Sequence, residues 1–312
     1  MNAMTSGRRT GRRAIVILLS LLLTGTSVSA VATERPGGAP APIAELRRIE
    51  REREVRIGAF AHDTATGRTL SHRADESFAM LSVFKAFAAA AILQKARRTD
   101  PGLLERTIHW TAADEVADSP VTPGRGEAGM TVAELCHAAV TRSDNTAGNL
   151  LLKQLGGPAG LTRFFRSLGD PVSRLDRREP ELNVWQPGET RDTTTPAAAG
   201  ATFARLAVGR ALAPADRDRL NAWLRANETG DARIRAGLPD DWTVGDRTGT
   251  AVSAYGGAHD IAVATPPSGA PVILVVLTRR NAAGAQPDSG AVAATATALV
   301  RELGLLPRGS ST

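Results

Sequence analysis

The sequence predicts an α/β protein of the α+β kind, in which an antiparallel sheet covered by terminal helices is interrupted by an inserted all-helical domain. Three observations predict this class. Strand-like patterns occur near both ends of the 312-residue chain, a helix pattern accompanies each end, and helix-like patterns fill the middle. A sheet built from both ends leaves a cleft against the inserted helices, and a ligand site is expected there.

The two ends of the chain supply the predicted sheet and its covering helices. Residues 43–54 place Leu46 and Ile49 among Glu and Arg, which is typical of an amphipathic surface helix. Alternating apolar and polar residues over 55–62, followed by a second short pattern over 68–72, predict a strand hairpin. Further strands are predicted at 242–246, 258–264 and 272–277, and a last helix at 291–303.

The middle of the chain is predicted to be helical. Residues 82–96 are almost wholly apolar, which indicates a helix buried on most sides. Five more helices are predicted at 131–141, 145–155, 161–168, 197–208 and 215–226. We therefore predict an α/β domain formed by 43–75 together with 225–312, and a helical domain formed by 76–224.

Residues 1–30 have the order of a secretory signal peptide. Four arginines precede a short apolar run, and the segment ends in Val28-Ser29-Ala30. The run is too short for a permanent membrane span, so we expect export to the periplasm or the medium, by the Sec or the twin-arginine route. Residues 31–42 are rich in Pro, Gly and Ala, which indicates a tail or linker.

Composition argues against several classes of function. Removing residues 1–30 lowers the formal net charge from +6 to +2, so no large basic surface for nucleic acid is implied. The five histidines are scattered without metal-ligand spacing, which argues against a zinc mechanism. The single cysteine, Cys136, fits an apolar pattern and is predicted to be a buried thiol. We expect a monomer that acts on a small molecule and uses no cofactor or metal.

Ser82 and Lys85 are the first candidate catalytic pair. Their spacing at the start of a predicted helix puts the hydroxyl and the amine on one face, within reach of each other. A lysine packed among apolar side chains has its ammonium form disfavoured, so it can accept the serine proton. The pattern is weak by itself, because a serine at a helix start is more often an N-cap.

Two further segments strengthen this pair. Ser143-Asp144-Asn145 falls in a break between two predicted helices, and Arg247-Thr248-Gly249-Thr250 follows the predicted strand 242–246. The sets S-x-x-K, S-D-N and K-T-G occur together in penicillin-binding proteins and class A β-lactamases. This chain is similar to that set in order and spacing, so the three segments are predicted to form three walls of one cleft.

The segment 174–183 discriminates between these two families. It reads Arg-Leu-Asp-Arg-Arg-Glu-Pro-Glu-Leu-Asn, and with 191–196 it closely resembles the Ω-loop of class A β-lactamases. In that family the glutamate of the loop activates the deacylating water, and the matching residue here is Glu179. The similarity extends over about residues 43–306, so the sequence is identified as a class A serine β-lactamase, an exported hydrolase that gives antibiotic resistance.

The resemblance implies a catalytic role for five residues. Ser82 would be the acylated nucleophile, and Lys85 with Glu179 would handle its proton; which of the two is the acylation base is disputed in the family. Glu179 and Asn183 would hold the hydrolytic water. Ser143 would pass a proton to the ring nitrogen as the amide bond breaks.

The resemblance also implies how the substrate is bound. The backbone N–H groups of Ser82 and Thr250 would form the oxyanion hole. Arg177 would pair with Asp192 and close the two ends of the Ω-loop. The remaining residues predicted to bind the substrate are Asn145, Arg233, Arg247, Thr248 and Gly249, in addition to Thr250.

Two positions depart from the family pattern. Arg247 stands where most relatives have lysine; it keeps the charge but is planar and cannot relay a proton in a neutral form. Some family members, carbenicillin-hydrolysing ones among them, resemble this chain at that position. Asp118 falls where relatives often place an aromatic residue at the cleft rim, and its charge would repel an anionic substrate.

Two other functions compete with hydrolysis of β-lactams. A D,D-peptidase shares the serine, lysine and asparagine pattern but lacks a deacylating glutamate, so residues 179–183 argue against it. A β-lactam sensor that is acylated and stops would be compatible with Arg247 and Asp118. Multiple turnover of a chromogenic cephalosporin separates hydrolysis from both alternatives.

Overall fold

The computed structural model describes residues 44–251 and 255–306. The predicted signal peptide and the tail at 31–42 lie outside the described residues. A five-stranded antiparallel sheet is the centre of the fold, in the order β2-β1-β9-β8-β7. Its strands are β1 (Val55–Asp63), β2 (Thr69–His72), β7 (Thr243–Ala251), β8 (Gly257–Thr265) and β9 (Val272–Arg280).

Eight α-helices surround this sheet in the part of the chain that the structure describes. The first helix ends directly before β1 and the last follows β9, as the sequence predicts. The helices are α1 (Ala44–Arg53), α2 (Phe84–Arg98), α3 (Val132–Thr141), α4 (Asn145–Leu155), α5 (Pro158–Ser167), α6 (Pro196–Ala207), α7 (Pro214–Arg225) and α8 (Ser289–Glu302).

Both faces of the sheet are buried, which explains why β9 is apolar at every position from Val272 to Leu277. Ile273, Val275 and Leu277 pack into the core formed with α2 to α7. The alternate side chains of β9 pack into a second core with α1 and α8. Successive side chains of a strand point to opposite faces, so one strand contributes to two separate cores.

The predicted fold class is confirmed, because an antiparallel sheet made from both ends of the chain carries terminal helices and an inserted helical block. The strand prediction was wrong at its end: β7 extends to Ala251 and contains the Arg247-Thr248-Gly249-Thr250 motif instead of ending before it. β7 is the edge strand next to the cleft, so polar residues are tolerated on it. The boundaries of the two domains stay a prediction, since residues 44–306 belong to one compact unit.

Two pairs of small strands were not predicted from the sequence. Two-residue strands pair Phe78–Ala79 (β3) with Thr193–Thr194 (β6), and Thr107–Ile108 (β4) with Met130–Thr131 (β5). The β3–β6 pair ties the chain just before Ser82 to the end of the Ω-loop. This contact places the Ω-loop against the start of α2.

Candidate active site

Ser82 lies in a short 3-10 turn, Leu81–Val83, that leads directly into α2. Leu81 has a φ of 46°, a left-handed conformation that a leucine rarely adopts and that is found most often at functional sites. Ser82 is 8% exposed and makes no N-cap hydrogen bond, so the alternative N-cap role does not apply. Gly249 of β7 passes this turn closely: a Cβ there would lie 3.2 Å from the Ser82 amide nitrogen, so the strand requires glycine at this point.

Lys85 is fully buried and lies at the centre of a polar network. Its Nζ is 2.9 Å from Ser82 Oγ, 2.5 Å from Asn145 Oδ1 and 2.9 Å from the Ser143 carbonyl oxygen. Burial lowers the pKa of Lys85 to about 8, and the neighbouring Glu179 carboxylate opposes part of this shift. The neutral amine is therefore a minor but accessible form at neutral pH, as proton transfer from Ser82 requires.

Glu179 brings the third reacting group to the same point. Ser82 Oγ donates to Glu179 Oε1 at 2.8 Å, and Lys85 Nζ lies 3.1 Å from the same oxygen. Asn183 Nδ2 donates to the other carboxylate oxygen at 2.5 Å. The serine, the lysine and the glutamate converge as the sequence predicts. We refer to Ser82, Lys85, Ser143 and Glu179 as the nucleophile cluster.

The Ω-loop is closed at its base by Asp192. This fully buried carboxylate accepts from Arg177 Nε at 2.5 Å and from the backbone N–H groups of Asp176 and Arg177 at 2.7 and 2.8 Å. Asn149 of α4 holds the loop at Glu179, because its amide donates to the Glu179 carbonyl and accepts from the Glu179 N–H. Glu179 is thus fixed through its backbone as well as its side chain.

The segment Ser143-Asp144-Asn145 connects α3 to α4. Ser143 has a φ of 59°, which turns its hydroxyl toward the cleft, where Arg247 donates to it at 2.7 Å. Asp144 caps α4 through the Ala147 N–H. Asn145 is predicted to bind the substrate amide; here its Oδ1 accepts from Lys85 and its Nδ2 donates to the Ala117 carbonyl at 2.9 Å.

Arg247 is the largest fully buried side chain in the described residues. Its terminal nitrogens donate to Ser143 Oγ and, at 3.3 Å, to Thr248 Oγ1. Its Nε has no hydrogen-bond partner in the described chain. Burial lowers the pKa of Arg247 to about 10, which still leaves the guanidinium charged at neutral pH.

Arg233 is 7% exposed, and its side chain mainly links two strands of the sheet. It donates to the carbonyl oxygens of Gly249 at 2.8 Å and His259 at 2.7 Å, on two adjacent strands. Its other terminal nitrogen donates to Thr250 Oγ1. Arg233 therefore reaches the cleft through the Thr250 hydroxyl. We refer to Arg233, Arg247, Thr248 and Thr250 as the strand cluster.

No metal centre and no membrane-spanning helix is found among residues 44–251 and 255–306. No group of three or more His, Cys, Asp or Glu side chains is placed to hold a metal ion there. None of the helices in those ranges has the length and apolar character needed to cross a bilayer.

Comparison with known proteins gives the same family in three ways. The model of the β-lactamase enzyme family matches residues 41–304. β-Lactamase AST-1 of Nocardia asteroides is 53% identical over 82% of both chains, and a β-lactamase of Streptomyces lavendulae is 48% identical over 96% of this chain and 99% of its own. The solved β-lactamase of Streptosporangium roseum is 58% identical with a TM-score of 0.83, covering 85% of this chain and 98% of that one.

A structure described as an ancestral class A β-lactamase adds the class. It is 50% identical with a TM-score of 0.77, and the match covers 84% of this chain and 99% of the ancestral one. This chain belongs to the class A serine β-lactamases. It is accordingly a hydrolase that opens β-lactams through a serine acyl-enzyme, and the D,D-peptidase and sensor alternatives are set aside.

Sequence reasoning missed part of the machinery of this β-lactamase. Asn149 is one helical turn after Asn145, on the same face of α4, and that spacing could have identified it. A buried group behind β7 was also missed, since its members come from three separate segments: Asn227, Arg235, Asp246 and Asp260. Of these, only Asp246 could have been suspected, because it directly precedes Arg247.

Proposed function

We propose that Ser82 is the acylated nucleophile of this β-lactamase and that Glu179 activates the deacylating water. The observation that carries this proposal is the contact of Glu179 Oε1 with Ser82 Oγ at 2.8 Å and with Lys85 Nζ at 3.1 Å. A carboxylate within reach of the ester formed on Ser82 can take a proton from a water placed between them. Asn183, which donates to the same carboxylate, would orient that water.

Acylation would proceed by attack of Ser82 Oγ on the lactam carbonyl. The hydroxyl proton passes to Lys85 or Glu179, both of which contact it, and the carbonyl oxygen receives the negative charge. The backbone N–H groups of Ser82 and Thr250 would stabilise that oxyanion, an effect worth about 3 kcal/mol per donor in comparable hydrolases. The C–N bond then breaks, and Ser143 supplies the proton that the ring nitrogen takes. The proton removed from Ser82 then passes through Lys85, whose Nζ is 3.4 Å from Ser143 Oγ, and restores the Ser143 hydroxyl.

Deacylation would repeat these steps with water as the nucleophile. Water adds to the ester carbonyl while its proton goes to Glu179, and the C–O bond to Ser82 breaks. The proton returns from Glu179 to Ser82 Oγ, which restores the free enzyme with the ring-opened product released.

The substrate carboxylate would bind at the strand cluster. Arg247 brings a buried positive charge, and Thr248 and Thr250 bring hydroxyl groups next to it on β7. Gly249 lets the strand approach Ser82, and Arg233 holds the Thr250 hydroxyl in place. Asn145 would receive the side-chain amide of the substrate.

We further propose that the enzyme acts outside the cytoplasm as a monomer, without cofactor or nucleic acid. The signal-like residues 1–30 support export to the periplasm or the medium. The small-molecule substrate requires no partner protein.

Intact-mass measurement during turnover of a chromogenic cephalosporin tests the assigned roles. We expect many turnovers by the unmodified enzyme, whereas Glu179→Ala accumulates an acyl adduct and loses about 10³-fold in kcat, within the range for a lost general base. Ser82→Ala serves as the control and should form no adduct. Wild-type turnover by Glu179→Ala would contradict the proposed role of Glu179, and an adduct on Ser82→Ala would contradict that of Ser82.

A further inference from the structure

Thr229 lies beside the strand cluster, in the segment between α7 and Arg233. Its Oγ1 is 2.5 Å from the Oγ1 of Thr248, a short contact between two hydroxyl groups. Thr248 is 4% exposed, whereas Thr229 is exposed to solvent. The hydroxyl of Thr229 thus touches a side chain proposed to bind the substrate carboxylate.

The orientation of the neighbouring Asn227 determines where the Thr229 hydrogen goes. Asn227 Nδ2 donates to Asp246 Oδ2 at 2.7 Å, so its Oδ1 faces the opposite way. That oxygen accepts from the Thr229 backbone N–H at 3.2 Å and from the Thr229 hydroxyl at 2.8 Å. The amide cannot be reversed without placing its oxygen against a carboxylate oxygen and its NH₂ against two donors.

Asp246 is held firmly as the acceptor that fixes Asn227. It is fully buried, and it accepts from Arg235 Nε at 2.7 Å. Burial and the Asp246 charge raise the pKa of the neighbouring Asp260 well above its usual range. A Cβ on Gly230 would lie 1.9 Å from Asp246 Oδ2, so the backbone also packs directly on this carboxylate.

Each of the two threonine hydroxyl groups has only one hydrogen to donate, and this determines the direction of the bond between them. A hydroxyl donates one hydrogen, and that of Thr229 is given to Asn227, so Thr248 donates to Thr229. Arg247 already donates to Thr248. If Thr248 turns its hydrogen to a carboxylate, Thr229 can turn its own hydrogen to Thr248, because Asn227 Oδ1 keeps the bond from the Thr229 N–H.

We propose that Thr229 is a positioning residue for substrate: its hydroxyl rotates between Asn227 and Thr248 and thereby lets Thr248 donate to the substrate carboxylate. The inference rests on the proposed binding of that carboxylate by Thr248. Each hydrogen bond in such a chain polarises the next, so the bond from Thr248 to a charged acceptor is strengthened. A penicillin whose carboxylate is esterified has no charged acceptor for Thr248, so its binding should depend much less on Thr229.

The test compares benzylpenicillin with its methyl ester on three variants. Thr229→Val removes the hydroxyl and should raise KM for benzylpenicillin about three- to tenfold with little change in kcat, the signature of lost uniform binding. Its effect on the methyl ester should be much smaller. Thr229→Ser keeps the hydroxyl and should retain wild-type values, while Thr248→Val should show the same selective loss for the free acid.

The outcomes separate this inference from the proposed function. An equal loss on acid and ester for Thr229→Val, or a failure of Thr229→Ser to retain wild-type values, overturns the positioning role alone. If Thr248→Val also treats acid and ester alike, the proposed binding of the carboxylate by Thr248 fails as well. Thr229→Ala provides a second variant without the hydroxyl should Thr229→Val unfold at a lower temperature than the wild type.

Discussion

Two fully buried cations, Lys85 and Arg247, share the cleft but have different partners. Lys85 lies 3.1 Å from the Glu179 carboxylate, whereas Arg247 donates to the hydroxyl groups of Ser143 and Thr248 and, within the described chain, to no carboxylate. Burial lowers the pKa of both side chains. The nucleophile cluster therefore contains an ion pair, whereas Arg247 in the strand cluster has no carboxylate in direct contact within the described chain.

This difference assigns different chemistry to the two clusters. A buried charge without an opposite partner is destabilising, and an anion that enters the site relieves the penalty. Arg247 stays protonated and is thus suited to bind a carboxylate, while Lys85, paired and with a pKa of about 8, can gain and lose a proton. The enzyme separates binding of charge from transfer of protons by placing a carboxylate in direct contact with only one of these two cations.

Replacing Arg247 should produce the largest loss at the strand cluster. Arg247→Met keeps the apolar bulk and removes the charge, so kcat/KM for benzylpenicillin should fall roughly 30-fold or more, the cost of removing one member of a buried charge pair. Arg247→Lys keeps the charge and should retain most of the activity. Steady-state kinetics check this, and a Met variant as active as the Lys variant would show that the charge has no role.

Removing the Arg177–Asp192 ion pair at the base of the Ω-loop should disturb the position of Glu179 in the nucleophile cluster. Arg177→Ala leaves the fully buried Asp192 without its cation, although two backbone N–H groups still bind it, so we expect a loss of about 2 kcal/mol and about 5 °C in Tm. Acyl-enzyme should accumulate in the same variant. The control is Arg174→Ala, which removes an exposed ion pair with Asp176 in the same loop and should cost far less.

The pH dependence of acylation tests whether Lys85 transfers the proton. With a pKa lowered to about 8, the neutral amine increases as the pH rises, so a rate that requires it climbs toward pH 8 and levels off above. The Glu179 charge raises the pKa of Lys85, so Glu179→Gln should lower that pKa. The increase of the acylation rate with pH should then occur at lower pH than in the wild type. Stopped-flow acylation rates measure this; a wild-type rate that is flat from pH 6 to pH 9 would assign the base to Glu179.

Asp118 should have the smallest effect, because its side chain is exposed to solvent. Its backbone carbonyl accepts from the Asn145 N–H at 3.1 Å, which fixes its position beside the nucleophile cluster. Two unit charges about 8 Å apart in water interact by about 0.5 kcal/mol, so we expect this exposed charge to change the rate by no more than two- to threefold. Asp118→Asn should therefore raise the ratio of kcat/KM for carbenicillin to kcat/KM for ampicillin by that factor at low salt. The change in this ratio should vanish at high salt.

The elements with strong periodicity could be predicted from the sequence. Residues 145–155 form α4 with the predicted bounds, because Asp144 caps its start and Gly156, with a φ of 85°, ends it. Helix α5 begins at Pro158, three residues before its predicted start, since proline is favoured in the first turn of a helix. The nucleophile cluster could also be predicted, because Ser82 and Lys85 share one recognisable motif and Ser143 and Glu179 lie in two others.

What could not be predicted depends on contacts between distant segments. The polar residues of β7 gave no sign in the sequence that the strand continues beyond Asp246. Its length is determined by pairing with β8 and by packing against the turn at Leu81. The order of strands in the sheet and the group around Asp246 depend in the same way on the tertiary fold. No local pattern indicates that the Asp246 charge acts on Asp260, since the two residues lie on neighbouring strands.

The lone thiol of the chain makes the enzyme convenient to label. Cys136 is fully buried in α3, and burial raises the pKa of its thiol, so maleimides should not react with it in the folded protein. A cysteine introduced at Val184, whose side chain is 61% exposed on the Ω-loop, would then be the sole reactive group. A fluorophore or spin label attached there would follow the loop through each stage of the catalytic cycle.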